Sequence, residues 1–111
     1  MIDYLMKFGQ DRQLETLKDE AGNVLIRKAA TPGMEQKPWV CLQSHMDMVC
    51  EKNNDTLHDF DKDPIRPYID GEWVKAKGTT LGADDGIGMA AQLALLDSTG
   101  HTHGPLECLF T

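Results

Sequence analysis

No stretch of this chain stays apolar for the roughly 18 residues that a membrane-spanning helix needs. No run of lysine or arginine exceeds an isolated pair. With 11 basic against 18 acidic residues the formal net charge is -7. Nucleic acid and anionic membrane surfaces are therefore excluded as expected partners. The opening MIDYLMKFG lacks a basic flank followed by an apolar core, so it does not read as a secretory signal. The three cysteines, Cys41, Cys50 and Cys108, are odd in number and have no C-x-x-C spacing. They read as reduced thiols of a cytoplasmic protein, not as a disulfide framework. Cys41 and Cys108 lie in apolar runs and are expected as core filler. Cys50 neighbours a polar cluster but is read as an ordinary thiol too. Internal repeats, low-complexity segments, G-x-S-x-G, a P-loop and a Cys–His nucleophile pair are all missing.

What is present is globular. The 111 residues are 41% hydrophobic and 26% charged, enough for one small domain at most. The acidic balance most simply serves solubility, although carboxylates that hold metal ions add to such a balance as well.

Apolar residues at 2, 5, 6 and 8 predict a short amphipathic helix closed by Gly9. It lacks an N-cap and makes barely two turns, so the chain reads as starting partway through an element. QLETLKD at 13–19 and VLIRKA at 24–29 flank the turn signal AGN and predict a β-hairpin. PWVCLQ at 38–43 predicts a short strand buried on both faces. Residues 45–67 read as an ordered polar loop. YIDGEWVKA at 68–76 places Asp70-Gly71 between two β-prone runs, a hairpin signal. A glycine-punctuated connection at 78–88 leads into a mostly apolar helix from Asp84 or Asp85 to about Ser98. PLECLF at 105–110 predicts a last strand. The expected class is α/β, a mixed β-sheet with flanking helices.

Two acidic knots stand out. In HMDMV at 45–49, His45 and Asp47 are two apart, so on an extended strand they leave the same face. They are expected at the carboxyl end of a central strand, the edge where open α/β sheets bind ligands. A metal-ligating histidine needs its other ring nitrogen held by a carboxylate or carbonyl, and Asp47 could supply that. The plain alternative is a solvated polar strand end, which a bare H-x-D does not exclude. In GADDGIG at 82–88, Asp84 and Asp85 stand where acidic residues commonly cap helices. Beyond capping, a carboxylate there could bind zinc, or bridge two metal ions. His101 and His103 could offer an i, i+2 pair but read as a polar loop. His58 has no assigned role.

Together the two knots resemble the clan of co-catalytic zinc aminopeptidases and carboxypeptidases. The longer run from LQSHMDMVCEKNND to GTTLGADDGIGMA resembles the aminoacyl-histidine (Xaa-His) dipeptidases, and AGNVLIRKAATPGME extends the likeness leftward. Essentially the whole chain is covered.

The resemblance implies roles residue by residue. His45 matches a metal-ligand histidine, Asp47 the catalytic-site aspartate that orients it, and Asp84 the carboxylate bridging two Zn²⁺ ions. Asp85 follows the bridging residue, where many relatives carry Asn, so its charge is not needed for ligation. The peptide after the bridging aspartate is often cis in that family, which makes Asp84–Asp85 the candidate here. The family pattern continues with a glutamate pair, one member acting as general base, then a further aspartate and a distant histidine. These lie outside residues 1–111. The chain is therefore expected to be part of a metallopeptidase catalytic domain without its remaining half or its lid. It would be inactive alone, prone to self-association through uncovered apolar surface, and would act on dipeptides within the full-length enzyme. A related zinc deacylase or tripeptidase, or a non-catalytic domain, are the alternatives that the motifs leave open.

Overall fold

The computed structural model describes residues 1–111. Helix α1 runs Ile2–Asp11, then strands β1 Glu15–Lys18 and β2 Val24–Lys28, β3 Val40–Ser44, β4 Pro67–Asp70 and β5 Trp73–Ala76, helix α2 Ala83–Asp97 and strand β6 Leu106–Phe110. Four strands form one sheet in the order β1-β2-β6-β3, and β4-β5 is a separate two-stranded ribbon. β1–β2 and β2–β6 are antiparallel, while β3 and β6 run parallel, Val40 opposite Leu106 to Ser44 opposite Phe110. The fold is thus mixed α/β, as its interleaved strands and helices imply. No helix is long and apolar enough to cross a membrane.

Side-chain alternation puts Val24 and Ile26 of β2 and Cys108 and Phe110 of β6 on one face. Both helices cover that face, α1 with Leu5 and Phe8 and α2 with Met89 and Leu96. On the other face the strands carry Leu17, Leu25 and Leu109, and an ion-pair row in which Arg27 bonds Glu15 at 3.1 Å and Glu107 at 2.7 Å.

Two cations fasten the helix ends. Arg12 lies 3.7 Å over the Phe8 ring and bonds Asp97 at 2.6 Å, joining the end of α1 to the end of α2. Lys28 of β2 donates to the carbonyls of Leu95, at 2.8 Å, and Ser98. The last turn of α2 has no basic residue of its own, so this ammonium satisfies carbonyls that the helix leaves free.

Three expectations need correction. Gly9 does not end α1; it is buried inside it, and the helix continues to Asp11. A Cβ at Gly9 would collide with the Thr16 side chain, so the glycine lets the helix lie close on β1. The strand predicted at 38–43 is neither central nor buried on both faces. β3 is the sheet edge, and Trp39 and Val40 are 56% and 48% exposed there. Cys41 is likewise exposed and is not core filler, whereas Cys108 is fully buried.

Candidate functional site

β3 ends at Ser44, and residues 45–47 follow directly on it. Thr111 N–H donates to the Ser44 carbonyl at 3.0 Å and Met46 N–H to that of Thr111 at 2.7 Å, so pairing with the β6 strand carries on past His45. The partner segment arrives from the other side. Thr80 N–H donates to the Glu51 carbonyl at 2.9 Å and its hydroxyl to that of Val49 at 2.6 Å. Asn53 N–H reaches the Gly78 carbonyl at 2.8 Å. The stretch after His45 and the approach to α2 are thereby stapled together. Gly82, at φ 80°, turns the chain in a left-handed conformation with Met48 packed against it. Asp84 and Asp85 remain non-helical, and the peptide between them is cis.

The result is a three-residue line. Asp47 Oδ1 lies 3.0 Å from His45 Nδ1, and the Asp47 carbonyl lies 3.2 Å from the same atom. On the far side of the ring, Nε2 lies 3.0 Å from Asp84 Oδ1. The His45 side chain is 39% exposed, those of Asp47 and Asp84 84% and 96%. The Asp84 hydrogen bond raises the His45 pKa above its ordinary 6.5; partial desolvation opposes it, and the Asp47 carbonyl and carboxylate add to it. An acceptor at each nitrogen favours the protonated ring, which has an N–H to offer on both sides.

The same three groups suit a metal ion. Asp47 accepting from Nδ1–H leaves Nε2 free to ligate, and Asp84 offers two carboxylate oxygens. Neighbouring donors on a tetrahedral zinc, each about 2.0–2.1 Å from it, sit roughly 3.3 Å apart, close to the observed separation. Two donors are all that these residues bring together: no group of three or more His, Cys, Asp or Glu is placed to hold an ion. The line also lies on open surface, lining none of the molecule's concavities.

The other histidines do not join it. His58 packs edge-on against Phe60 at 4.6 Å, with its Nε2 buried and unpartnered. His101 is exposed in the loop after α2. His103 is tied to Thr31, whose hydroxyl accepts its N–H at 3.0 Å, and its Nδ1 lies 2.7 Å from the Gly104 carbonyl. Asp85 is turned away from His45: its Oδ1 accepts the Gly88 N–H at 3.0 Å. The Thr80 staple went unread in the sequence. Its only local signal is a threonine in a glycine-rich approach, which many loops share.

No family model matches the chain. The cytosol non-specific dipeptidase of Escherichia coli is 58% identical over 111 residues. The chain is similar to a dipeptidase along its whole length. That alignment takes in 100% of this chain but 23% of the dipeptidase, so the chain spans under a quarter of its curated relative. The crystal structure of aminoacylhistidine dipeptidase from Vibrio alginolyticus superimposes with a TM-score of 0.92 at 57% identity, covering 99% of this chain and 22% of that one. The aminopeptidase PepT of Bacillus cereus matches with a TM-score of 0.72 at 24% identity, over 98% of this chain and 29% of that one, a likeness of fold. The resemblance to aminoacyl-histidine dipeptidases drawn from the longer run around the two knots therefore holds.

Proposed function

We propose that this chain is part of the catalytic domain of a cytoplasmic metallo-dipeptidase, and that it forms one wall of a two-zinc site acting on dipeptides such as Xaa-His. The observation that carries the reading is the convergence of His45 Nε2 and Asp84 Oδ1, 3.0 Å apart, with Asp47 behind the ring. The dipeptide substrate class comes from the names of the similar proteins, and the cytoplasmic setting from the word cytosol in one of them.

In this reading His45 ligates one ion through Nε2. Asp47 keeps the proton on Nδ1, which fixes the tautomer and makes Nε2 a better donor. Asp84, with Oδ1 on the His45 side, would hold zinc together with it. The chemistry that a bound zinc pair supplies is polarisation of the scissile carbonyl and a water acidified for attack. Because only two donors are brought together here, the general base and the remaining ligands are proposed to be supplied by the rest of the full-length enzyme. Taken alone, these residues lack the proton acceptor that is worth typically 10²–10⁴-fold, so they are proposed to be inactive. The uncovered β3 edge with Trp39 and Val40 makes self-association the expected behaviour of the isolated chain.

A graft tests this. The matching segment of the Escherichia coli dipeptidase is replaced by residues 1–111, and hydrolysis of a Xaa-His dipeptide is followed with and without chelator. The expected result is chelator-sensitive hydrolysis that His45→Ala abolishes. A folded graft without hydrolysis, or hydrolysis indifferent to His45→Ala, contradicts the reading.

A further inference from the structure

The Asp84 carboxylate is 96% exposed, and its one protein partner is His45. Nothing packs around this side chain to aim it, so its direction is set by its backbone. That backbone is irregular: Asp84 has φ -97°, ψ 105° and Asp85 φ -114°, ψ 38°, inside an element that is otherwise helical. Gly82, the nominal N-cap, has no side chain, and no side-chain cap bond is made there. The side-chain bond at this end of α2 comes three residues later, where Asp85 Oδ1 accepts the Gly88 N–H at 3.0 Å. Acceptor and donor three residues apart have the N-cap-to-N3 relationship.

Gly88 supplies an independent observation. A Cβ there would lie 2.7 Å from Asp85 Cγ, closer than real contacts allow. Glycine weakens a helix interior relative to alanine. Its presence one turn into α2 makes room for the carboxylate of Asp85 to fold over that turn.

We propose that Asp85 is a positioning residue: by capping the Gly88 N–H it fixes the turn into α2 and so holds the neighbouring Asp84 carboxylate on His45. The inference rests on the metal-site reading for its functional consequence but not for its geometry. Loss of the cap frees the 84–85 turn, and the exposed Asp84 carboxylate leaves the ring. Residues that orient a metal's ligands typically affect affinity by about 10–100-fold.

Two readouts on the 111-residue chain test it. One is the nuclear Overhauser effect between the His45 ring and the Asp84 β-protons in metal-free protein; the other is zinc affinity by calorimetry. Asp85→Asn keeps a carbonyl acceptor and should retain the Overhauser effect and affinity near the wild-type value. Asp85→Ala and Gly88→Ala should lose the effect and weaken zinc binding at least roughly tenfold. Gly88→Ala raises helix propensity while evicting the carboxylate, so it separates aim from helix stability and decides the case if Asp85→Ala fails to fold. Lys28→Met loosens the other end of α2 and should lower thermal stability without touching either readout. The proposal is overturned if Gly88→Ala keeps both the contact and the affinity, if Asp85→Asn fails to rescue, or if the wild-type chain lacks the contact. A wild-type chain with the contact but no zinc binding sinks the metal reading alone, and the Overhauser effects then judge Asp85.

Discussion

Asp47 and His45 share one extended segment, and the carboxylate of the first sits 3.0 Å from Nδ1 of the second while the ring's other nitrogen looks toward Asp84. A ring fixed in this way has a pH-dependent affinity for metal. Its folded pKa is raised above 6.5, chiefly by Asp84. The ion-pair contribution to stability is therefore complete below the ordinary value and is lost as pH rises through the raised one. Zinc needs the neutral ring, so its affinity should climb over that same rise. Calorimetric titrations at about pH 5.5 and about pH 8 should differ by well over tenfold. A flat profile would remove His45 from the ligand set.

Lys28 should stabilise α2 from a neighbouring strand. Lys28→Met takes the donor from the Leu95 and Ser98 carbonyls, and about 1 kcal/mol of stability should go with it. Urea unfolding curves measure the change. A midpoint equal to wild type would mean that water satisfies those carbonyls equally well.

At Gly9 a gain in helix propensity competes with a collision. Alanine in the interior of α1 would stabilise by ~1 kcal/mol on propensity alone. The clash with Thr16 should outweigh that, with a net loss of about 1–2 kcal/mol. Thermal melting of Gly9→Ala reads the sign, and a more stable variant would show that α1 can lift off β1 without cost.

The thiols should divide two to one. Cys41 and Cys50 are exposed, while burial pushes the Cys108 thiol up from 9.0 to about 11. A thiol reagent at about pH 8 should consume two groups quickly and the third only in denaturant. Between pH 9.0 and about 11 the unfolded chain releases a proton that the folded chain keeps, so stability should fall across that window. Rapid modification of all three thiols in the native protein would contradict the burial of Cys108.

How much was legible follows how local each feature is. The AGN turn between two β-prone runs, the Asp70-Gly71 turn and the apolar run after Asp85 are short-range signals, and the elements stand where they place them. β3 was misplaced because a continuous apolar run reports what a strand is made of and not where it sits in a sheet. Gly9 was misread because a glycine that ends a helix and one that admits a neighbour look the same until Thr16 is seen across from it. His45 and Asp47 share a face through period-two spacing alone. That residue 84 arrives opposite His45 depends on the Thr80 and Asn53 staples. No local pattern encodes them, so only the family resemblance put Asp84 in the same site.

Zinc titration of the chain beside its His45→Ala, Asp84→Ala and Asp47→Ala variants tests the central claim most directly. Binding should be weak in the wild type, as two protein donors allow, absent in the first two variants, and roughly tenfold weaker when Asp47 no longer holds the ring. Zinc bound equally well by wild type and His45→Ala would contradict the account, because the metal would then be held somewhere other than the line from Asp47 through His45 to Asp84.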